Sequence, residues 1–398
     1  MKETVDQISS LPDDILIHIL SFVATKVAVQ TCILSKRWRN TWSSVPVLYF
    51  CHYNLSGGSN RCRKFEPFVN GVLANRGKLH LNTVKYYCYC TWEPSMEWLD
   101  RVSLFMPRVI SVKITGAKVF KCLDSVFSCA SLERLNFSLP GNYINIIRPK
   151  SVALPYLKTL NLHCVLIDDN LTKDLFLGCP ALESLTLSTS EFPMSGICSN
   201  VLKILELYDC NHFNKMRVSC PRLASLRIHS SKHSIRSISL ENTTTLVNAG
   251  IRLFGINQSL NGDILPNSKL LNGLSNATTL DLYFGHFSEF QEPWKENFLK
   301  CRIFNNLRSL IVRCCYYMIS DFDLIACFLR RAPVLQQLTV HLWDDQRQGY
   351  EDPRQDVCFQ REYLETVTIY SKRNDLWADK LATMLGIYVK TIGNIIII

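Results

Sequence analysis

The stretch DLFLGCPALESLTL, residues 174 to 187, holds two kinds of local order side by side. Asp174 to Leu177 read as the end of a helix. Gly178 closes it, and Pro180 helps prevent its continuation. Leu182, Leu185 and Leu187 then follow the spacing apolar-x-x-apolar-x-apolar. The last two of these positions alternate along a short strand and point to one face.

The same spacing recurs on both sides of this stretch. It reads Val109-Val112-Ile114, Leu132-Leu135-Phe137 and Leu157-Leu160-Leu162 before it, then Leu202-Leu205-Leu207 and Leu223-Leu226-Ile228. It returns as Ala277-Leu280-Leu282, Leu307-Leu310-Val312, Leu335-Leu338-Val340 and Leu364-Val367-Ile369. A unit of roughly 20 to 30 residues with this signature is a leucine-rich repeat. One unit cannot bury its apolar face, and stacked units bury a continuous core. "VSCPRLASL" and "RRAPVLQQL" repeat the helix-end grammar at Pro221 and Pro333. The expected fold class is α/β: a horseshoe-like solenoid of parallel strands with helices or turns over residues 62–370. One earlier, degenerate unit is expected in residues 62–105, with a helix near Phe65–Leu73 and a strand near Leu79–Tyr87. The register is open from 229 to 276, where Ile235-Ile238-Leu240 and Leu246-Ala249-Ile251 are each candidates for a unit. "NGDILPNSKLLNG" (261–273) reads as an irregular connection.

Between the inward positions of each strand lie outward ones. They place Arg134 and Asn136, Thr159 and Asn161, Ser184 and Thr186, Glu206 and Tyr208 in neighbouring rows along the concave face. Arg227, His229, Asp281 and Tyr283 continue them, followed by Arg313, His341 and Tyr370. Tyrosine and arginine are common anchors of protein interfaces, because they bury large area and still make polar contacts. The mixture of charges suits a folded protein or peptide. A nucleic-acid groove would need Lys and Arg gathered on one face with aromatics interleaved.

The chain has 398 residues, 47% hydrophobic and 20% charged, with a net charge of +10. The basic residues are spread out. The densest runs, Ser35-Lys36-Arg37-Trp38-Arg39 and Arg61-Cys62-Arg63-Lys64, read first as solvated faces. No apolar segment reaches the length of a membrane span, and no early apolar run suggests a signal peptide. The 17 cysteines are therefore read as reduced thiols in the cytoplasm or nucleus. Cys88-Tyr89-Cys90 (with Cys51, His52 and Cys62 upstream) and Cys314-Cys315 lack paired C-x-x-C spacing, so no metal is expected. There is no phosphate-binding glycine loop and no G-x-S-x-G elbow. His163, His229 and His341 fall just after strand positions, where a surface role is the default. Neither a cofactor nor an enzymatic activity is expected.

Residues 1–50 have a different character. Pro12 suits a helix start, and Asp13 and Asp14 face the positive end of its dipole. Thr25 is a candidate cap for a second helix and Ser35 for a third, where Trp38 and Trp42 sit one turn apart. Three short helices bury too little surface for so many large apolar residues. The stretch ISSLPDDILIHILSFVATKVAVQTCILSKRWRNTWSSVPVL, residues 8–48, resembles the F-box of plant F-box proteins with leucine-rich repeats. Many positions match at fixed spacing, although the Pro common in relatives near Val23-Ala24 is absent. The resemblance implies a small all-helical domain over 1–50, a linker over 51–61, the solenoid, and a C-terminal cap or tail over 371–398. It also implies docking on a Skp-type adaptor that links to a cullin, in a ubiquitin ligase where this chain would receive a target protein. The implied adaptor contacts are Leu11, Pro12, Ile15, Leu16, Ile19 and Leu20 in the first helix, and Val29, Cys32, Leu34, Ser35 and Trp38 beyond it. A scaffold that does not direct degradation is the alternative, and a nucleic-acid-binding solenoid a weaker one.

Overall fold

The computed structural model describes residues 8, 10–55, 61–77, 79–89, 96–115, 123–139, 145–147, 149–189, 195–210, 216–230, 238–254, 268–285, 301–314, 319–342, 364–371, 376–386 and 395–398. The chain forms two compact units, Met1–Glu183 with Ser188–Glu191, and Ser184–Leu187 with Phe192–Ile398.

The first unit opens with three short helices: α1 (Asp13–Leu20), α2 (Thr25–Gln30) and α3 (Trp38–Thr41). Leu16 and Leu20 of α1, Ala28, Trp38 and Val45 form their core, flanked by the partly buried Leu11, Ile17, Val23, Trp42 and Val47. The caps differ from expectation. Thr25 is the first residue of α2, and its Oγ1 accepts the Tyr49 backbone N–H at 2.7 Å. It ties the helix to the neighbouring strand instead of capping it. Ser35 is exposed, and Arg37 precedes α3. Arg37 donates to Asp13 at 2.8 and 2.6 Å and to the Leu11 carbonyl, joining the Leu-Pro-Asp and Lys-Arg-Trp stretches.

Behind the helices lies a parallel sheet in chain order: Val47–Cys51, Thr83–Cys88, Val109–Ile114, Arg134–Ser138 and Thr159–His163. It begins at Val47, inside the span assigned to the helical domain by resemblance. The early degenerate unit is present as a helix, Arg61–Asn75, and the strand Thr83–Cys88. Inward rows run Leu48, Val84, Ile110, Leu135, Leu160 and Phe50, Tyr86, Val112, Phe137, Leu162, all of them buried. Val109 pairs with Arg134 and is therefore an outward position. The expected inward residues Val112 and Ile114 are both buried, but Ile110 is buried with them, and the pair that aligns with Leu135 and Phe137 is Ile110 and Val112, because strand alternation fixes the face more firmly than a three-point motif does.

Asp168 caps the helix Asp169–Gly178, its Oδ1 accepting the Leu171 N–H at 2.8 Å. Gly178 is the last helical residue. A Cβ there would lie 2.1 Å from the Val152 carbonyl oxygen, and the Gly178 carbonyl accepts the Leu154 N–H at 2.8 Å. The glycine permits close approach of two backbones.

In the second unit the strands Ile204–Tyr208, Ser225–Ser230, Asn248–Phe254, Thr279–Gly285, Ser309–Cys314, Gln337–Leu342 and Thr366–Tyr370 again pair in parallel and in chain order. Three short strands, Gly196–Cys198, Arg217–Ser219 and Ser239–Glu241, make a second small sheet. This settles the open register over the described residues, outside which Ile235 lies. Leu246, Ala249 and Ile251 serve the main sheet, whereas Leu240 lies on the small one. Of the irregular connection, Ser268–Leu274 is helical and 261–267 lie outside the described residues. The helix Leu376–Gly386 and the strand Ile395–Ile397, paired to Thr366–Tyr370, continue the repeat into the stretch expected as a cap or tail.

Candidate protein-interaction surfaces

Helix α1 carries two apolar stripes. Leu16 and Leu20, one turn apart, are buried at 0% and 4% exposure. Ile15 and Ile19, with Phe22 just beyond the helix, form the outward stripe and are 44%, 42% and 77% exposed. Among the other implied adaptor contacts, Trp38 is in the core, Leu11 packs against it, Val29 and Cys32 are half-buried, and Pro12, Leu34 and Ser35 are exposed. Leu16, Leu20 and Trp38 thus hold the domain together and offer no surface. Phe22, Val27 and Ile33 are exposed and were absent from the implied set. Helical spacing identifies both stripes, but their phase toward the core is invisible when both are apolar.

The outward residues of the second unit form continuous rows. One runs Tyr208, His229, Arg252, Tyr283, Arg313, His341, Tyr370. Beside it runs Glu206, Arg227, Gly250, Asp281, Ile311, Thr339, Thr368. The register brings nine of the expected target-binding residues and Arg252 into line or into neighbouring places. Arg227 Nη1 donates to Glu206 Oε1 at 2.9 Å. Arg313 reaches Asp281 at 2.9 and 3.4 Å, and Arg252 reaches the same carboxylate at 3.5 Å. The Tyr208 and His229 rings meet edge-on at 4.7 Å, and those of His341 and Tyr370 stack at 4.5 Å. Gly250 leaves an open place in its row, since a Cβ there would make only an ordinary contact, 3.6 Å from Arg227 Cγ.

Burial, then the charge of Glu206, pushes the Tyr208 hydroxyl above its usual pKa. Burial also holds His229 and His341 below the usual imidazole range, helped by Arg252 and Arg313 respectively. The face therefore presents neutral imidazoles, phenols and fixed ion pairs at neutral pH. Such a mixture of aromatic and hydrogen-bonding groups is the composition common at protein interfaces.

In the first unit, Asn161 donates to Asn136 at 2.7 Å and Arg134 is exposed at the start of its strand. Cys88 is buried, Cys51 is half-buried, and Cys90 and Cys315 lie outside the described residues. Among the described residues no group of three or more His, Cys, Asp or Glu is placed to hold a metal. No helix among them is long and apolar enough to cross a membrane.

A model of the F-box domain matches residues 8–50. A model of the leucine-rich repeats of FBD-associated F-box protein At5g56370 matches residues 112–251. The chain is 27% identical over 371 residues to F-box/LRR-repeat protein 13 of Arabidopsis thaliana, covering 87% of this chain and 79% of that one. To F-box/FBD/LRR-repeat protein At5g53840 of the same plant it is 28% identical over 366 residues, covering 87% and 77%. To F-box/LRR-repeat protein At3g59210, also from Arabidopsis thaliana, it is 32% identical over 222 residues, covering 53% and 45%. With an F-box ahead of stacked repeats, and relatives of that same build, the chain is an F-box protein with leucine-rich repeats, of the plant type.

Proposed function

We propose that this protein is the non-catalytic target-recognition subunit of a Skp–cullin–F-box ubiquitin ligase, working in the nucleus or cytoplasm. The F-box docks on a Skp-type adaptor, the adaptor joins a cullin, and the second unit's strand face receives the target. The ubiquitin-conjugating partner supplies the chemistry. One observation carries this reading: the small helical domain fills its own core with Leu16, Leu20, Ala28, Trp38 and Val45, yet leaves Ile15, Ile19, Phe22, Ile33 and Leu34 in water. Apolar surface of this kind, on a domain too small to need it, marks a partner site.

The test is capture of a Skp-type adaptor by the full chain. Each side chain removed from the interface costs about 1 kcal/mol or more. Ile15→Ser, Ile19→Ser and Leu34→Ser together should therefore weaken capture by about a hundredfold, with the melting temperature little changed. Full capture by this triple variant, correctly folded, would overturn the proposal.

A further inference from the structure

The outward strand face of the first unit differs from that of the second in one respect that decides its partner. Its rows run Val47, Thr83, Val109, Arg134, Thr159; then Tyr49, Lys85, Ser111, Asn136, Asn161; then Cys51, Tyr87, Lys113, Ser138, His163. They contain Lys85, Lys113 and Arg134 and no carboxylate. In the second unit Glu206 and Asp281 hold the arginines of the corresponding face. Here no ion pair to Lys85, Lys113 or Arg134 is formed among the described residues. Like charges gathered without counter-charge raise the potential over the face.

The cations sit among tyrosines. The Tyr49 and Tyr87 rings meet edge-on at 5.6 Å, and Tyr53 and Tyr89 stack at 5.3 Å. Lys113 Nζ lies 5.5 Å from the Tyr89 ring centre, and the Arg61 guanidinium 5.8 Å from that of Tyr53. The His52 ring lies 3.9 Å from Tyr53, on whose stack it closes in. These contacts orient the cations over the rings. They also engage the ring faces that a nucleic-acid base would need for stacking.

We infer that the Tyr49–Lys85–Tyr87–Lys113 face of the first unit is a docking surface for an acidic polypeptide segment. Its side-chain carboxylates would meet the ammonium groups of Lys85 and Lys113, while its aliphatic parts lie along the tyrosine rings. Charge complementarity of this kind sets partner choice and association rate.

The probe is fluorescein-labelled dodecaglutamate, followed by anisotropy on the full chain at low salt. Binding should fall by about tenfold or more with Lys85→Glu and Lys113→Glu together, and by less with Lys85→Gln and Lys113→Gln. Lys85→Arg with Lys113→Arg should retain it. Lys158→Glu with Lys173→Glu removes the same charge from exposed sites off these rows and should also retain it. Circular dichroism confirms that each variant is folded. The inference fails if dodecaglutamate does not bind, or if the Lys158 and Lys173 reversal weakens it equally, which would indicate net charge alone. It also fails if a twelve-nucleotide oligouridylate binds more tightly than the peptide through the same two lysines.

Discussion

Arg76 follows the helix Arg61–Asn75 and is only 6% exposed, and among the described residues none of its three guanidinium nitrogens has a hydrogen-bond partner. Its neighbour is the Phe105 ring at 5.8 Å, and burial lowers its pKa to about 10. A buried, uncompensated charge is destabilising, and an apolar side chain of similar length is a better tenant. Arg76→Met should raise stability by about 1–3 kcal/mol, read from the urea midpoint, and a lower midpoint would contradict the assignment. His52 makes the opposite case. It is buried, and its Nδ1 accepts the Tyr89 backbone N–H at 3.2 Å, which requires that nitrogen to be unprotonated. Burial, then Arg61, lowers its pKa below 6.5. Below pH 6.5 the unfolded chain takes up the proton that the folded state resists, so stability falls as pH drops through that window. His52→Asn keeps an acceptor in place and should flatten the slope of the urea midpoint between pH 7 and 5. Neither role was legible in the sequence, where His52 stood out only as a neighbour of Cys88-Tyr89-Cys90 and nothing distinguished Arg76. The same holds for α1: its apolar content was plain, but only packing shows that Leu16 faces in and Ile15 faces out.

Helix and strand alternation around Pro180 was legible because the two periods, 3.6 and 2, abut within a few residues. The boundaries were less so. Gly178 read as a helix terminator, whereas the structure gives it a tertiary reason, the approach of the Val152 carbonyl. Gly178→Ala would be harmless or mildly stabilising at an ordinary helix end. Here it should cost about 1–3 kcal/mol, measured by thermal unfolding, because backbone cannot step aside as a side chain can. Val109 was misjudged because three apolar positions do not fix the phase of a strand whose inward residues are Ile110, Val112 and Ile114. The region near 240 was unresolved for another reason. A three-point apolar motif does not distinguish a main-sheet strand from the small second sheet, and both bury their apolar residues.

At the scale of the whole molecule, the repeat was the most legible feature, since ten units in near-register leave little freedom. What the repeat could not reveal is how its rows add up. Tyr208, Tyr283 and Arg313 occur far apart in sequence, and the register puts them in one line. Changing all three to Ala should abolish capture of target proteins from plant tissue with the proteasome inhibited, while adaptor capture persists. Capture that survives this change, and fails when the helix Leu376–Gly386 is altered, would move the target site to the last repeat. Captured proteins that never gain ubiquitin would instead favour a scaffold.

The two stripes of α1 have a genetic consequence. Substitutions at Leu16 or Leu20 remove the protein, because they unfold the domain, and such alleles should be recessive. If the proposed function holds, substitutions at Ile15 and Ile19 should leave a folded chain that still holds its target but cannot deliver it. Such a chain would shelter the target from the wild-type copy, so in a plant carrying both, the defective allele should be the dominant one.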